Sequence, residues 1–330
     1  MSQPLTSAKP LLFLWLEITT KCPAKCTHCY NDSGPDGTHG TMATEDWTRL
    51  LDEAADHGVR AVQLIGGEVT LHPGLSAIIA HALSRALAVE VFSNLISVTD
   101  EQWEAFSQPG VTLATSYYSD DAEQHNAITQ RPTYERTKAN VAKAVELGIP
   151  LRAGVIDLGG GQRTEEARAE LVDLGVPSIG YDRLRAIGRG ACGTGKDATQ
   201  LCGQCGNGAA AVMADGTVRP CIMARWISSG NVQTQTLGAA VEGMAAARAE
   251  LLAAGMPEVT ARGECTPATT GTDCYPHNRF ATGECTPATT GTDCYPHNRF
   301  AAGECTPATT GTDCYPHNRF AESPAELASS

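Results

Sequence analysis

The chain has 330 residues, of which 42% are hydrophobic, which is enough for the core of one large domain and an appendage. Its formal net charge of −13 argues against a nucleic-acid partner and against binding to an anionic membrane, because both require a basic surface. No apolar run is long enough to span a bilayer, and Leu11–Leu16 is too short for the core of a signal peptide. We therefore expect a cytoplasmic protein, in which thirteen cysteines indicate metal binding rather than disulfides.

A group of three cysteines follows the first predicted strand. We expect residues 1–10 to be a flexible leader and the apolar run Leu11–Ile18 to be a buried strand. The polar loop after it holds the cysteines in a C-x3-C-x2-C pattern: Cys22, Cys26 and Cys29. Three thiolates on one loop can hold three irons of a four-iron, four-sulfur cube and leave the fourth iron open for a small molecule. The same spacing also fits a zinc loop or a disulfide pair.

Strand and helix patterns then alternate along the chain. The predicted helices begin at Thr44, Pro73, Thr99, Tyr134 and Glu165. The strands predicted between and after them are Ala61–Ile65, Val89–Ser93, Val111–Tyr117, Leu151–Ile156 and Ile179–Leu184. This alternation predicts an α/β fold with a parallel sheet and right-handed crossovers. Because a closed barrel needs more units than these, we expect an open partial (β/α)6 barrel over residues 11–187.

The segment Gly66-Gly67-Glu68 follows the second predicted strand, at the edge of the sheet where parallel α/β folds bind ligands. The two glycines would let the backbone approach a ligand, and the carboxylate of Glu68 would meet an ammonium group. A plain strand-to-helix turn is the alternative. Ser93 and Asn94 end the third strand, although the same pair is common in turns.

The cysteine pattern after strand one and the Gly-Gly-Glu after strand two resemble the defining motifs of the radical S-adenosylmethionine (SAM) superfamily. The resemblance implies the partial-barrel fold, a [4Fe-4S] cluster on the three cysteines, and SAM at the fourth iron. It also implies that Gly66, Gly67 and Glu68 contact the methionine amine, although Val69 stands where relatives often carry proline. The further cofactor contacts that it implies are His28 beside the cluster and adenine, Ser93 and Asn94 at the ribose, and Ser116 at the end of strand four.

The segment that follows strand four resembles one in peptide-modifying members of the superfamily, which carries a serine, acidic residues and a histidine. His125 is therefore a candidate for substrate contact, while a surface histidine is the simpler interpretation. The later segment Ile187-Gly188-Arg189-Gly190 resembles the same relatives.

A second group of cysteines lies in residues 188–262, where the composition changes. Its members are Cys192, Cys202, Cys205 and Cys221, and the last two flank a predicted hairpin that turns at Asp215-Gly216. This region resembles the SPASM/twitch module of radical SAM enzymes, which implies one or two auxiliary iron–sulfur clusters. A structural zinc ribbon is the alternative.

Residues 263–322 contain three tandem twenty-residue repeats, each with one cysteine pair in C-x8-C spacing, and residues 323–330 form a tail. The repeats are rich in Pro, Gly and Thr, so we expect no packed core from them. The nearest pair, Cys265 and Cys274, is expected to complete the auxiliary site, although relatives space these cysteines differently.

The resemblance implies an enzyme that reductively cleaves SAM to a 5′-deoxyadenosyl radical, which abstracts a hydrogen atom. Because auxiliary clusters in the superfamily accompany large peptide substrates, the first hypothesis is a maturase that crosslinks a ribosomally made peptide through a C–C, C–O or thioether bond. The alternatives are an oxidoreductase acting on a protein side chain or a small natural product, and a metal-binding or redox-sensing module. The implied partners are a precursor peptide, a flavodoxin or ferredoxin as electron donor, and a separate leader-recognition protein.

Overall fold

A computed structural model describes residues 10–193 and 195–258 of the chain. The strands within these residues are β1 Phe13–Thr19, β2 Ala61–Gly66, β3 Ala88–Phe92, β4 Val111–Tyr117, β5 Leu151–Asp157, β6 Ser178–Arg183, β7 Ala209–Val212, β8 Thr217–Arg219 and β9 Gly230–Asn231. The helices are α1 Thr44–Asp56, α2 Leu75–Ser84, α3 Asp100–Phe106, α4 Ala122–Thr129, α5 Tyr134–Glu146, α6 Thr164–Asp173, α7 Leu237–Glu242 and α8 Met244–Ala253. All nine of these strands form one sheet in the order β6-β5-β4-β3-β2-β1-β7-β8-β9.

The first six strands form the parallel part of this sheet, with helices in the connections between them. This arrangement confirms the open partial barrel. Local signals explain where its helices form. On α1, the buried stripe Trp47, Leu50 and Leu51 packs into the core, as amphipathic spacing predicts. At the start of α3, Thr99 and Gln102 form the predicted capping box.

Helix α4 was not predicted from the sequence. Asp121 starts it by accepting a hydrogen bond from the backbone N–H of Gln124 at 2.8 Å. Only His125 and Thr129 are buried on this helix, so it has no apolar stripe that periodicity would detect.

The sequence predicts one helix over Leu237–Ala254, but the structure divides it into α7 and α8 at Gly243. A Cβ atom at Gly243 would lie 2.7 Å from the backbone oxygen of Ser229, so the helices pack closely against that segment here. Among residues 10–193 and 195–258, no helix has both the length and the apolar content that a membrane crossing requires.

The predicted hairpin of the second cysteine group extends the barrel sheet. Strand β7 pairs in parallel with β1, with Phe13 opposite Ala209 and Leu16 opposite Val212. Strands β8 and β9 then continue the sheet in antiparallel pairs. The edge of β1 that faces away from β2 is therefore covered by the carboxyl-terminal part of the described chain.

The two faces of the sheet pack into separate apolar clusters. Side chains such as Leu14 face the helices and belong to the larger cluster. Phe13 and Trp15 alternate with them on the opposite face of β1 and belong to a second cluster that also contains Cys205 and Cys221. The second cysteine group thus shares a core with the inner face of β1.

Candidate functional site

The cysteine loop leaves β1 at the carboxyl edge of the parallel strands, where the sequence predicted it. The backbone N–H of Cys22 donates to the carbonyl of Gly34 at 2.9 Å, which ties the beginning of the loop to its end. Cys22 is buried, Cys26 and Cys29 are half-buried, and all three are free thiols. The structure therefore has no disulfide within this loop.

Burial is the main influence on the pKa of two of these thiols, Cys22 and Cys26. It raises the pKa of Cys22 to about 12, with the carboxylate of Glu68 as a second cause. It raises the pKa of Cys26 to about 11, with Cys29 as a second cause. The side-chain amide of Asn94 donates to Cys22 Sγ at 3.7 Å. Because metals bind thiolates, loading this loop with metal releases protons.

The donor set of the loop suits a multi-iron cluster. Cys26 and Cys29 both contribute to the raised pKa of Cys22, so the three thiols are neighbours. Within the described residues, however, no group of three or more His, Cys, Asp or Glu side chains converges on a position for a single metal ion. Each of the three thiols can bind a different iron of a four-iron cube, so the loop has the donors that such a cluster requires.

The Gly-Gly-Glu turn lies directly against the start of the cysteine loop. The N–H groups of Gly67 and Glu68 donate to the carbonyls of Thr19 and Lys21, each at 2.8 Å. A Cβ atom on Gly66, whose φ is +154°, would lie 2.2 Å from the oxygen of Thr19, and one on Gly67 would lie 2.3 Å from that of Lys21. The chain's own backbone therefore requires both glycines, whichever ligand binds beside them.

The buried carboxylate of Glu68 links the end of β2 to the end of β3. Its Oε1 accepts hydrogen bonds from Ser93 Oγ at 2.7 Å and from the N–H and hydroxyl of Thr70 at 3.1 and 2.8 Å. Its Oε2 accepts one from the N–H of Asn94 at 2.7 Å. Burial raises the pKa of Glu68 although these donors oppose the shift. The less occupied Oε2 is the oxygen that has room for a further donor, such as an ammonium group.

Tyr118 covers the cysteine loop and was not among the predicted site residues. Its phenol is buried beside Cys26 and hydrogen-bonded to the side chain of Ser116, and burial raises the pKa of Tyr118. The rings of His28 and Tyr118 meet edge to face with centroids 5.0 Å apart. Burial lowers the pKa of His28 to about 4. The signal in the sequence was the pair Tyr117-Tyr118, because successive side chains at a strand end face opposite sides.

His125 is buried, so its interpretation as a surface histidine is wrong. Its side chain is 1% exposed, because α4 lays it against the tyrosines that surround the end of β4. The ring centroids of Tyr117 and Tyr118 lie 5.3 Å from that of His125, and the centroid of Tyr134 lies at 5.6 Å. Burial lowers the pKa of His125 to about 4. In the described structure this residue packs behind Tyr118.

Three of the cysteines predicted for the auxiliary site come together. The buried thiol of Cys205 forms hydrogen bonds with the thiols of Cys202 and Cys221. These hydrogen bonds raise the pKa of Cys205, and the one with Cys202 has the larger effect. Cys192, by contrast, is exposed. The other two predicted ligands lie outside the described residues: Cys265 and Cys274.

A buried ion pair joins the two cysteine groups. Glu17 on β1 is 1% exposed and accepts hydrogen bonds from both terminal nitrogens of Arg225, one of them at 3.1 Å. Glu17 also accepts from the amide of Asn31 at 3.3 Å, while Asn31 accepts from the thiol of Cys29 at 2.9 Å. Because Arg225 follows closely after Cys221, this network connects the cysteine loop to the second group.

Residues 16–175 match the family described as the radical SAM superfamily. These residues therefore form a radical SAM domain. The chain is 26% identical over 149 residues to a PqqA peptide cyclase of Granulibacter bethesdensis, covering 44% of this chain and 40% of that relative. It is also 26% identical over 178 residues to the antilisterial bacteriocin subtilosin biosynthesis protein AlbA of Bacillus subtilis, covering 53% of this chain and 40% of that relative. The matches thus span well under half of these curated relatives.

A solved structure shows the same fold. The crystal structure of Streptococcus suis SuiB bound to precursor peptide SuiA is similar with a TM-score of 0.59 at 15% identity. The similarity covers 68% of this chain and 63% of SuiB. The radical SAM partial barrel predicted from the cysteine and Gly-Gly-Glu motifs is therefore confirmed.

Proposed function

We propose that this protein is a radical SAM enzyme that modifies a ribosomally made precursor peptide by hydrogen abstraction and crosslink formation. The observation that carries the proposal is the meeting of three elements at one edge of the sheet. These are the free thiols after β1, the turn with Glu68 after β2, and the pair Ser93 and Asn94 after β3. Hydrogen bonds of 2.7 Å join Glu68 to Ser93 and Asn94, and the amide of Asn94 donates to Cys22 Sγ at 3.7 Å.

In this proposal the residues of the cysteine loop hold a [4Fe-4S] cluster, with Cys22, Cys26 and Cys29 as its ligands. The carboxylate of Glu68 would accept a hydrogen bond from the ammonium group of SAM, and Ser93, Asn94 and Ser116 would contact the rest of the cofactor. Bound here, the cluster and SAM supply one chemistry, the reductive cleavage of SAM to methionine and a 5′-deoxyadenosyl radical.

The protein's own part is to bind and orient the cofactor and to exclude water from the site. The hydrogen bonds between Glu68 and the end of β3 fix its carboxylate before a ligand arrives, so little reorganisation is needed on binding. Tyr118 and His28 form an aromatic cover beside the thiol of Cys26. Such a cover would protect a reactive radical from solvent.

A peptide substrate is supported by the relatives. One is a PqqA peptide cyclase, another takes part in subtilosin biosynthesis, and SuiB has been solved with a precursor peptide. We further propose that a flavodoxin or ferredoxin supplies the electron and that a separate protein recognises the leader. The seven described cysteines are all free, which is consistent with a reducing cytoplasm.

We propose an auxiliary iron–sulfur site at Cys202, Cys205 and Cys221, whose thiols interact in the described structure. Cys192 and the pair Cys265 and Cys274 are candidates for its remaining ligands. The entropic cost of closing a loop grows slowly with its length, so a cysteine far along the sequence can join the site at modest cost.

Anaerobic reconstitution followed by iron and sulfide analysis tests both sites. The wild-type chain should bind more iron than one cube holds. The triple variant Cys22→Ala, Cys26→Ala, Cys29→Ala should lose one cluster and keep the rest, and the matched variant Cys202→Ala, Cys205→Ala, Cys221→Ala should do the reverse. Loss of all iron in either variant, or of none, would contradict two separate sites.

The substrate assignment is tested with a peptide encoded beside the gene. Incubation with SAM and reductant should remove two hydrogen atoms from the peptide. One hydrogen atom would pass to the 5′-deoxyadenosyl radical, and the second would leave as a proton and an electron, for which an oxidised iron–sulfur cluster is the acceptor. Mass spectrometry detects this loss and its position. If no peptide changes while a small natural product is oxidised, the oxidoreductase hypothesis replaces this one.

A further inference from the structure

The segment Ile187–Gly190 returns from the end of β6 to the cysteine loop. The N–H of Arg189 donates to the carbonyl of Cys29 at 2.9 Å. The Nε of Arg189 donates to the carbonyl of Cys26 at 2.8 Å, and its Nη2 donates to the carbonyl of Ser33 at 2.7 Å. One residue therefore holds the loop at three points.

The two neighbouring glycines allow this contact. Gly188 has a φ of +58°, and a Cβ atom there would lie 2.4 Å from the carbonyl oxygens of Cys29 and Tyr30. A Cβ atom on Gly190 would lie 2.5 Å from the carbonyl oxygen of Arg185. A larger side chain at Gly188 would push the segment away from the loop, and one at Gly190 would disturb the turn that precedes Arg189.

The guanidinium also places a positive charge beside the loop. Its Nε and Nη2 atoms lie 2.8 and 2.7 Å from carbonyl oxygens of that loop. Arginine stays protonated in proteins, so this charge is permanent. A cluster held by three thiolates gains a further negative charge when it is reduced, and nearby positive charge favours the reduced form.

We propose that Arg189 is a positioning residue that clamps the cysteine loop in its cluster-binding conformation and raises the reduction potential of the bound cluster. The effect on the reduction potential rests on the proposed function, whereas the clamping of the loop concerns the chain alone. Lysine would keep the charge but could not span two carbonyls with a planar fork.

Two readouts test the clamp, with Arg189→Gln, Arg189→Lys and the exposed Arg183→Gln as variants. The first is the alkylation rate of Cys22 and Cys26 in metal-free protein, measured by peptide mass spectrometry. Losing a charged hydrogen bond should favour loop opening by about tenfold, so both Arg189 variants should react about tenfold faster than wild type. Arg183→Gln should react at the wild-type rate.

The second readout is the reduction potential of the reconstituted cluster, followed by electron paramagnetic resonance. Arg189→Gln should shift it to a more negative value, and Arg189→Lys should stay near wild type. A wild-type result for Arg189→Gln in either assay overturns the proposal. If that variant does not fold, Arg189→Lys decides by its alkylation rate, and a wild-type rate overturns the clamp. If the wild-type chain binds no iron, the proposed function fails while alkylation still tests the clamp.

Discussion

At the scale of single residues, the packing of the backbone alone requires glycine at position 67, whether or not a ligand binds there. Its added Cβ would lie 2.3 Å from the backbone oxygen of Lys21. We therefore expect Gly67→Ala to lower the free energy of unfolding by about 1–3 kcal/mol, as overpacking does. Gly34→Ala, in the cysteine loop, is the control, because a Cβ atom there has no neighbour within 4 Å. Equal stability of the two variants in urea unfolding would contradict this role.

The buried His125 gives the protein a predictable response to acid. Its pKa is about 4 in the folded chain against 6.5 without burial. Above pH 6.5 the ring is neutral in both states. As pH falls from 6.5 towards 4, the unfolded chain binds the proton first, so stability decreases, by about 3 kcal/mol in total.

The variant His125→Gln should therefore show a flatter decline of stability between pH 6.5 and 4. A part of the slope should remain, because burial shifts the pKa of His28 and His72 to about 4 as well. Urea unfolding at several pH values measures the slope. A slope equal to that of wild type would mean that His125 titrates normally in the folded state.

Sequence motifs predicted which residues meet at the candidate site, but they did not predict the residues that position the cysteine loop there. Glu68, Ser93 and Asn94 follow neighbouring parallel strands, so their meeting follows from topology alone. The contact of Arg189 with the cysteine loop depends on how the chain returns from β6, which no local pattern records. The position of Tyr118 over the loop likewise depends on the direction in which β4 ends.

At the scale of elements, the ion pair between Glu17 on β1 and Arg225 after β8 connects two parts of the sheet. Arg225→Met should cost about 3–5 kcal/mol, because it leaves a buried carboxylate without its charged partner. Adding Glu17→Gln should recover much of this loss. The control is Arg163→Met, whose partner Asp120 lies in an exposed pair and which should cost less than about 1 kcal/mol.

Chemical unfolding of the two single variants and the double variant yields the coupling energy between Glu17 and Arg225. Additive effects would show that the pair does not join the elements. Iron content of the same three variants after reconstitution then reports whether the network through Asn31 and Cys29 matters for the cysteine loop.

Elements with strong local signals were predictable and those with weak ones were not. Strand β4 has the predicted bounds Val111–Tyr117, since its apolar residues are flanked by clear turns. Helix α4 has only two buried residues and was missed. The parallel pairing of β7 with β1 joins segments far apart in the sequence, so only the hairpin itself was predictable.

At the scale of the whole molecule, the second cysteine group belongs to the same sheet and core as the barrel. A chain truncated after residue 187 loses β7 and uncovers the inner-face residues Phe13 and Trp15. We expect it to lack a cooperative unfolding transition, whereas a chain ending at residue 258 should keep one. Circular dichroism during urea unfolding distinguishes them, and wild-type cooperativity in the shorter chain would contradict a shared core.

The central claim is that the loop with Cys22, Cys26 and Cys29 is the site where SAM is cleaved. The most direct measurement is the amount of 5′-deoxyadenosine formed from SAM under a strong reductant, by chromatography and mass spectrometry. Wild type and the variant lacking Cys202, Cys205 and Cys221 should both form it, and the variant lacking the three loop cysteines should form none. Product formation by the loop variant at the wild-type rate would contradict the account.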